Sequence, residues 1–530
     1  MPSIVMVNAT DIEKPTYTAG NIRTTGSDGS ELKVIKVAIL TGDRIITSPN
    51  GLFLNMLDDY QWIVGNTLYR LDAKQISDKD ILLGKLNTKN YDLVVVPGGG
   101  VGDGEACIRC FPTVKNMIWK NNFANFIKEG GGYFSVCGGT ALITDLDLDR
   151  KPRSFLEYAY EKSAFGVTCV KSHYNTIGFP ILCQIGGLPP EYVGVGGYVL
   201  FSGWNASDEN ITQHSGVCLD YQISRNNPIF DDYLESTRRI TWIGGPSLTV
   251  PEHPDRNVTV LAYYPKQEMS DNVSTRIHAW KYVGGIRGFI KGALKNIKNN
   301  YKSVTMGKIG TIFTLAVDWE MTDKILQSDF SNKPAMTAEI YPNENQARIV
   351  LAAPHTESPV WWGGHIEEVK DTDNNNLWDG LNKWVNVTPN NRALETEFNY
   401  WINRRCVAWV SKIVPDNDLP PVYGPSQVSD IHPYIQNSSS IKIIGNAEVT
   451  DGIASLDLYY RYSEDNSSNW SNWTLYGTDI DGSDGWSWSF NAPNGTGYYQ
   501  FYSIRRVEYE GHTETETSPP GPDAILRVVK

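Results

Sequence analysis

Apolar and polar positions alternate in two different rhythms along this 530-residue chain. In the first four hundred residues, short apolar runs trade places with helical stretches. Lys33–Leu40 alternates and then runs apolar, predicting a buried first strand. Leu52–Val64 has helical spacing, and Leu68–Ile76 reads as a second strand. Tyr91–Val96 is a near-continuous apolar strand that stops at Pro97-Gly98-Gly99-Gly100. Val114–Lys128 predicts an amphipathic helix, with Val114, Ile118, Phe123, Phe126 and Ile127 apolar and Gly130-Gly131-Gly132 closing it. Tyr133–Val136 is the next strand. Strand–helix alternation of this kind predicts an α/β domain with a mostly parallel sheet covered on both faces. Ligands in such sheets sit beyond the carboxyl ends of the strands.

Residues 151–340 mix strand-like runs (Tyr198–Phe201, Arg239–Ile243, Val258–Tyr264) with surface insertions. The sheet resumes at Ala335–Tyr341 and Arg348–Ala352, and a helix over Glu395–Ile413 closes the domain. After a proline-rich linker at 415–421 the rhythm becomes purely two-residue. Ile441–Asn446, Ser455–Tyr462, Trp470–Gly477, Trp486–Phe490, Tyr498–Ile504 and Ala524–Val529 predict an antiparallel β-sandwich. Trp486, Trp488 and Phe490 share one face there, which suits a sandwich core more than a carbohydrate-stacking surface. The expected organisation is a polar segment at 1–32, an α/β domain at 33–414, the linker, and a sandwich at 422–530.

Charge then narrows the partners. A net charge of −13 argues against nucleic acid or an anionic membrane, and no basic run stands out. The apolar stretches are strand-sized, so no membrane span is expected. Residues 1–32 have no signal-peptide pattern and suit the start of a mature exported chain. Asn-x-Ser/Thr sequons crowd the last hundred residues, at Asn437, Asn466, Asn469, Asn472 and Asn494, as on an extracellular or cell-surface glycoprotein.

The candidate chemistry lies at two strand ends. Tyr133-Phe134-Ser135-Val136-Cys137-Gly138-Gly139 is an apolar strand breaking into a glycine turn with a thiol at the break. Ala353-Pro354-His355-Thr356-Glu357 follows another apolar strand and sets a histidine two residues before a carboxylate. Amide cleavage needs a nucleophile, a base that later becomes an acid, and donors for the oxyanion. Cys137, His355 and Glu357 supply the first two functions, the thiolate being favoured by the start of a helix. The N–H of Gly138, with that of Gly99 or Gly100 across the crevice, supplies the third. Singly, a cysteine after a strand is often a small core hydrophobe and a histidine there an ordinary core or surface group. The joint order is what points to a site.

With Cys137 as nucleophile, Cys107, Cys110, Cys169, Cys183, Cys218 and Cys406 remain, an even number that permits three disulfides. Cys107-Ile-Arg-Cys110 also fits a redox pair or half a metal site. Asp371, Asp373, Asn375 and Asp379 fall at positions 1, 3, 5 and 9 of a calcium loop, although position 12 is Asn382; a solvated acidic loop is the other reading. The chemistry requires no cofactor, and calcium is the single candidate ion.

Residues 34–370 resemble the class I glutamine amidotransferase-like superfamily, in the branch named after the N-terminal domain of some biotin–protein ligases. The resemblance rests on Val94-Val95-Val96-Pro97-Gly98-Gly99, Phe126-Ile127-Lys128-Glu129-Gly130-Gly131, the Cys137 elbow, Ile243-Gly244-Gly245-Pro246, and Ala353-Pro354-His355-Thr356-Glu357. It implies a flavodoxin-like three-layer fold and a Cys137–His355–Glu357 triad. Ser135 stands where family elbows carry Gly, and Thr356 where the family's His-Pro-Glu carries Pro. Residues 421–530 resemble immunoglobulin-like modules of archaeal surface proteins, through Tyr459-Tyr460-Arg461-Tyr462-Ser463, Asn469-Trp470-Ser471-Asn472-Trp473, Trp486-Ser487-Trp488-Ser489-Phe490 and Gly497-Tyr498-Tyr499-Gln500-Phe501-Tyr502. The expectation is an exported cysteine amidase or peptidase acting on a peptide or small amide. The alternative is a catalytically silent structural, filament or surface-layer protein that self-associates at the cell surface.

Overall fold

The structure is a computed structural model, and it describes residues 31–41, 50–64, 67–98, 113–147, 165–173, 217–233, 236–242, 245–252, 256–266, 276–283, 285–299, 318–327, 330–358, 365–367, 383–385, 399–420, 426–429, 431, 433–447, 453–466, 469–482, 485–509, 512–515 and 522–530. In chain order the elements that matter here begin with β1 (Glu31–Thr41), α1 (Asn50–Leu57), β2 (Gln61–Val64), β3 (Thr67–Ser77), α2 (Asp78–Leu82), β4 (Leu93–Val96) and α3 (Val114–Lys128). They continue with β5 (Gly132–Val136), α4 (Gly139–Ile143), β6 (Val217–Ile223), β7 (Thr237–Trp242) and β8 (Asn257–Tyr263). β9 (Arg276–Val283) and β10 (Asp318–Gln327) form a separate antiparallel pair, with α5 (Gly285–Asn299) between them in sequence. β11 (Pro334–Ile340), β12 (Arg348–Ala352) and α6 (Tyr400–Ser411) complete the α/β part.

One sheet of ten strands organises this part, in the order β2-β3-β1-β4-β5-β12-β11-β8-β6-β7. β3, β1, β4, β5 and β12 are parallel to one another. The other five pairings are antiparallel, so the sheet is mixed and strand-rich where a mostly parallel one was expected. The cause lies in the connections. β11 reaches β12 through a seven-residue turn at 341–347, too short for the crossover that parallel pairing needs.

Period-two alternation loads both faces of the parallel half. Ile35, Val37, Ile39, Leu93, Val95, Phe134 and Val136 pack to one side with α1 and α6. Ala38, Leu40, Val94, Val96, Tyr133, Ile349 and Leu351 pack to the other with α3. The α3 stripe is rotated from the expected one. Trp119, Phe123, Phe126 and Ile127 are buried, whereas Val114 and Ile118 are exposed. Register places the carboxyl ends of β4, β5 and β12 side by side, with Val96 opposite Ser135 and Ala352 opposite Val136.

The antiparallel half curls. Its last strand, β7, lies four places from β12 in sheet order, yet Thr241 of β7 bridges His355 just past the end of β12. Strand twist accumulated over five strands brings the far edge round in this way. Tyr221, Trp242, Tyr264 and Phe330 fill the interior, with Tyr264 and Phe330 ring centres 4.9 Å apart.

The expected linker is tethered up to Pro420. The Trp62 Nε1–H donates to the Asp418 carbonyl at 2.8 Å, the Tyr69 hydroxyl donates to the Asp418 carboxylate at 2.6 Å, and Arg405 donates to the Pro420 carbonyl. Beyond it, one sheet pairs 427–428, 441–446 and 487–490, and another pairs 435–436, 524–528, 497–509, 453–463 and 474–479, with 512–515 on the 497–509 strand. Ile441, Ile443, Trp488 and Phe490 from the first meet Leu456, Leu458, Tyr499, Phe501 and Leu526 from the second in one core. Trp486, Trp488 and Phe490 are therefore core residues.

Candidate active site

Cys137 occupies the first position after β5 and adopts φ +48°, a left-handed conformation that costs a non-glycine residue about 1–3 kcal/mol. Its backbone is held there from two sides. The Cys137 N–H donates to the Ala352 carbonyl at 2.7 Å, tying the elbow to β12. Its carbonyl accepts the Thr140 N–H at 3.0 Å and the Thr140 hydroxyl at 2.7 Å, starting α4. The Tyr133 hydroxyl donates to the Gly139 carbonyl at 2.6 Å and braces the turn from behind. Ser135 is buried within β5 and does not prevent the turn. A helix dipole adds little at Cys137, because α4 has only five residues.

His355 and Glu357 leave β12 on the same side. The His355 ring shares a 2.6 Å hydrogen bond between Nδ1 and Glu357 Oε1, and both side chains are buried. With an ionised carboxylate as partner, Nδ1 carries the hydrogen and Nε2 is left for proton traffic. Nε2 has no well-aligned hydrogen-bond partner among the described residues, although the Cys137 thiol is near enough to act on the ring. Contacts of this kind commonly align only when substrate is bound. Burial works against a charged imidazole here, but the charges of Cys137 and Glu357 and their polar contacts with the ring outweigh it. His355 is thereby held well above its ordinary value.

Two further features fix the base. The His355 N–H donates to the Thr241 carbonyl at 2.7 Å, on the curled edge of the sheet. Thr356, between the histidine and the carboxylate, is gripped at both polar ends by Asn403 of α6. Its hydroxyl donates to Asn403 Oδ1 at 2.6 Å, and Asn403 Nδ2 donates to its carbonyl at 2.8 Å. Asn399, one turn earlier, accepts from Arg238 Nε and donates to the Arg239 carbonyl, joining α6 to β7.

Gly98, the last described residue of the loop after β4, closes the third side. A Cβ at this position would lie 2.5 Å from the Cys137 Cβ and 2.8 Å from His355 Cε1, so only glycine allows the loop this close to both groups. Gly138 sits at the start of α4, and among the described residues no backbone carbonyl takes its N–H. Gly99 and Gly100 lie outside the described residues, as do Cys107, Cys110, Cys183 and the loop of Asp371, Asp373, Asn375 and Asp379.

The structure thus brings Cys137, His355 and Glu357 together, and it corrects the disulfide expectation for three cysteines. Cys169, Cys218 and Cys406 are thiols. They sit on separate supports: Cys169 N–H donates to Glu339, Cys218 Sγ lies 3.6 Å from Thr241 Oγ1, and Cys406 is inside α6 against the sheet. Burial, with help from the Glu339 charge, pushes the Cys169 thiol up to about 11, and burial pushes Cys406 up as well. Neither has a base beside it comparable to His355. Among the described residues no group of three or more His, Cys, Asp or Glu side chains could hold a metal ion, and no helix is long and apolar enough to cross a membrane.

Gly98, Thr241 and Asn403 were not singled out from sequence. Gly98 lies in the glycine run that was, whereas nothing in the spacing links Thr241 or Asn403 to the histidine. No family model matches this chain, and no curated protein is significantly similar to it.

Proposed function

We propose that the chain is an exported cysteine-dependent amide hydrolase. Its α/β part would be a glutamine amidotransferase-like domain on a flavodoxin-like plan, and its C-terminal part an immunoglobulin-like module. The observation that carries the reading is Cys137 held at φ +48° beside a His355 that is itself oriented by Glu357 at 2.6 Å. Strain at a strand end, a thiol and an oriented base form the constellation that nucleophilic acyl transfer requires.

In the proposed reaction His355 Nε2 takes the Cys137 thiol proton and the sulfur attacks the amide carbonyl carbon. The Gly138 N–H faces the developing oxyanion. Collapse expels the amine, which takes the proton from His355 and leaves a thioester on Cys137. Water, deprotonated by His355, then attacks the thioester and releases the acid and the thiol. Glu357 holds the tautomer and balances the imidazolium throughout. Peptides and small primary amides are the substrate class.

One observation favours the silent alternative, a surface or filament protein that retains the fold. Cys137 is only 1% exposed and His355 5%. Iodoacetamide labelling followed by peptide mapping, together with an amide and peptide hydrolysis panel, separates the two. The hydrolase reading expects fast, His355-dependent alkylation of Cys137 and turnover that disappears in Cys137→Ala. Alkylation of Cys137 no faster than of the buried Cys406, with no turnover on the panel, would establish the silent one.

A further inference from the structure

The chain-wide charge of −13 conceals one strongly basic element. α5 contains Arg287, Lys291, Lys295 and Lys298 and no acidic residue. At about 100° per residue, Ile290, Leu294 and Ile297 fall in one arc roughly 60° wide, and the four basic residues occupy the adjoining arc of about 80°. Both arcs are represented at the surface. Ile290 is 52% and Leu294 62% exposed, and all four basic side chains are exposed.

An element this amphipathic usually hides its apolar stripe against its own domain. Here the stripe opens to solvent at two large aliphatic residues with cations alongside. We propose that α5 is a membrane-surface anchor, lying in the plane of a bilayer with Ile290 and Leu294 in the headgroup–acyl boundary and the four basic side chains on anionic phospholipid headgroups. Charge complementarity selects this occupant. The rest of the chain carries 43 basic and 60 acidic residues, a net of −17 once the four basic residues of α5 are taken from its 47, so cations concentrated beside exposed aliphatics are a local departure. A helix of fifteen residues bearing four charges is too short and too polar to span, and its composition is that of an interfacial helix.

The test is flotation of the full-length protein with vesicles of phosphatidylcholine containing about a third phosphatidylglycerol, against phosphatidylcholine alone, at low and high salt. The expected result is binding to the anionic vesicles only, weakened by salt. Lys291→Gln with Lys295→Gln should lower partitioning about 25-fold, since each basic residue near an anionic surface contributes about fivefold. Ile290→Ser with Leu294→Ser should lower it about tenfold or more by removing the inserted surface. These exposed positions should leave the thermal unfolding profile unchanged, which separates loss of binding from loss of fold. Equal binding to neutral vesicles, no binding to either, or undiminished binding of the Ile290/Leu294 variant would overturn the proposal. So would a wild-type dimer in sedimentation velocity that the same variant turns into monomer, because α5 would then face a second copy of the chain.

Discussion

Glu357→Gln keeps the shape of the buried partner of His355 and removes its charge, which makes it the sharpest probe of the site. In the wild type burial opposes the imidazolium, and the Cys137 and Glu357 charges prevail, so the folded-state pKa lies well above the unfolded value of about 6.5. A histidine raised in this way contributes stability that is fully present below the unfolded pKa and is lost as pH rises through the folded one. In the variant the Glu357 contribution is lost while burial and the Cys137 contribution remain, so the pKa falls. The 2.6 Å bond from Nδ1 becomes a neutral one. Hydrogen bonds to charged groups contribute about 1.5–3 kcal/mol and neutral ones about 0.5–1.5, so the variant should be less stable by about 1–2 kcal/mol near pH 6. The gap should narrow as pH rises through the wild-type folded pKa, where the share of it that depends on the imidazolium is lost. Urea denaturation across that range measures the gap, and the His355 Cε1–H resonance, assigned by its loss in His355→Gln, gives the titration directly. A wild-type midpoint at or below about 6.5, or a midpoint that Glu357→Gln leaves in place, would refute the electrostatic account of the triad.

Three other substitutions test the geometry. Gly98→Ala forces apart two groups that leave no room for a Cβ, and it should cost about 1–3 kcal/mol by overpacking. A displacement of about 1 Å should slow Cys137 alkylation or turnover about a hundredfold, as read by denaturation and labelling rates. Asn403→Ala strips both partners from Thr356 and should cost about 1–3 kcal/mol for each buried group left unsatisfied. It should also lower the His355 midpoint, a change that a merely structural role would not produce. Trp488→Ala should cost the C-terminal part about 3–5 kcal/mol in calorimetry while leaving Cys137 labelling untouched.

Much of the site was legible because its parts are local. The apolar run at 93–96, the helix at 114–128 and the strands at 132–136 and 348–352 each announce themselves within a window of a few residues, and each ends two residues before a glycine or at the His355 segment. The failures share a different cause. Leu52–Val64 is a helix to Leu57 and then a strand from Gln61, because Asp59 turns at φ +60° and Trp62-Ile63-Val64 suits either state until pairing with β3 decides it. Along α3, Val114 and Ile118 share the apolar periodicity yet are exposed, because the sheet takes the stripe through Trp119 and Phe123. The clamp from Asn403 reaches Thr356 across 47 residues, and the bridge from Thr241 reaches His355 across 114. Pairings at that range leave no periodic trace.

The region between 151 and 340 therefore has a different standing from an insertion that merely decorates a parallel core. It contributes β6, β7 and β8, and their curl returns Thr241 to the backbone of the base. Cys137 belongs wholly to the parallel half: β5 leads into it and β12 holds its N–H. His355 stands at the seam, anchored by β12 before it, Thr241 beside it and α6 through Thr356. The long antiparallel addition thus supplies one wall of the candidate site, through the Thr241 carbonyl on the His355 backbone N–H, and Gly98 supplies another by its approach to Cys137 and His355.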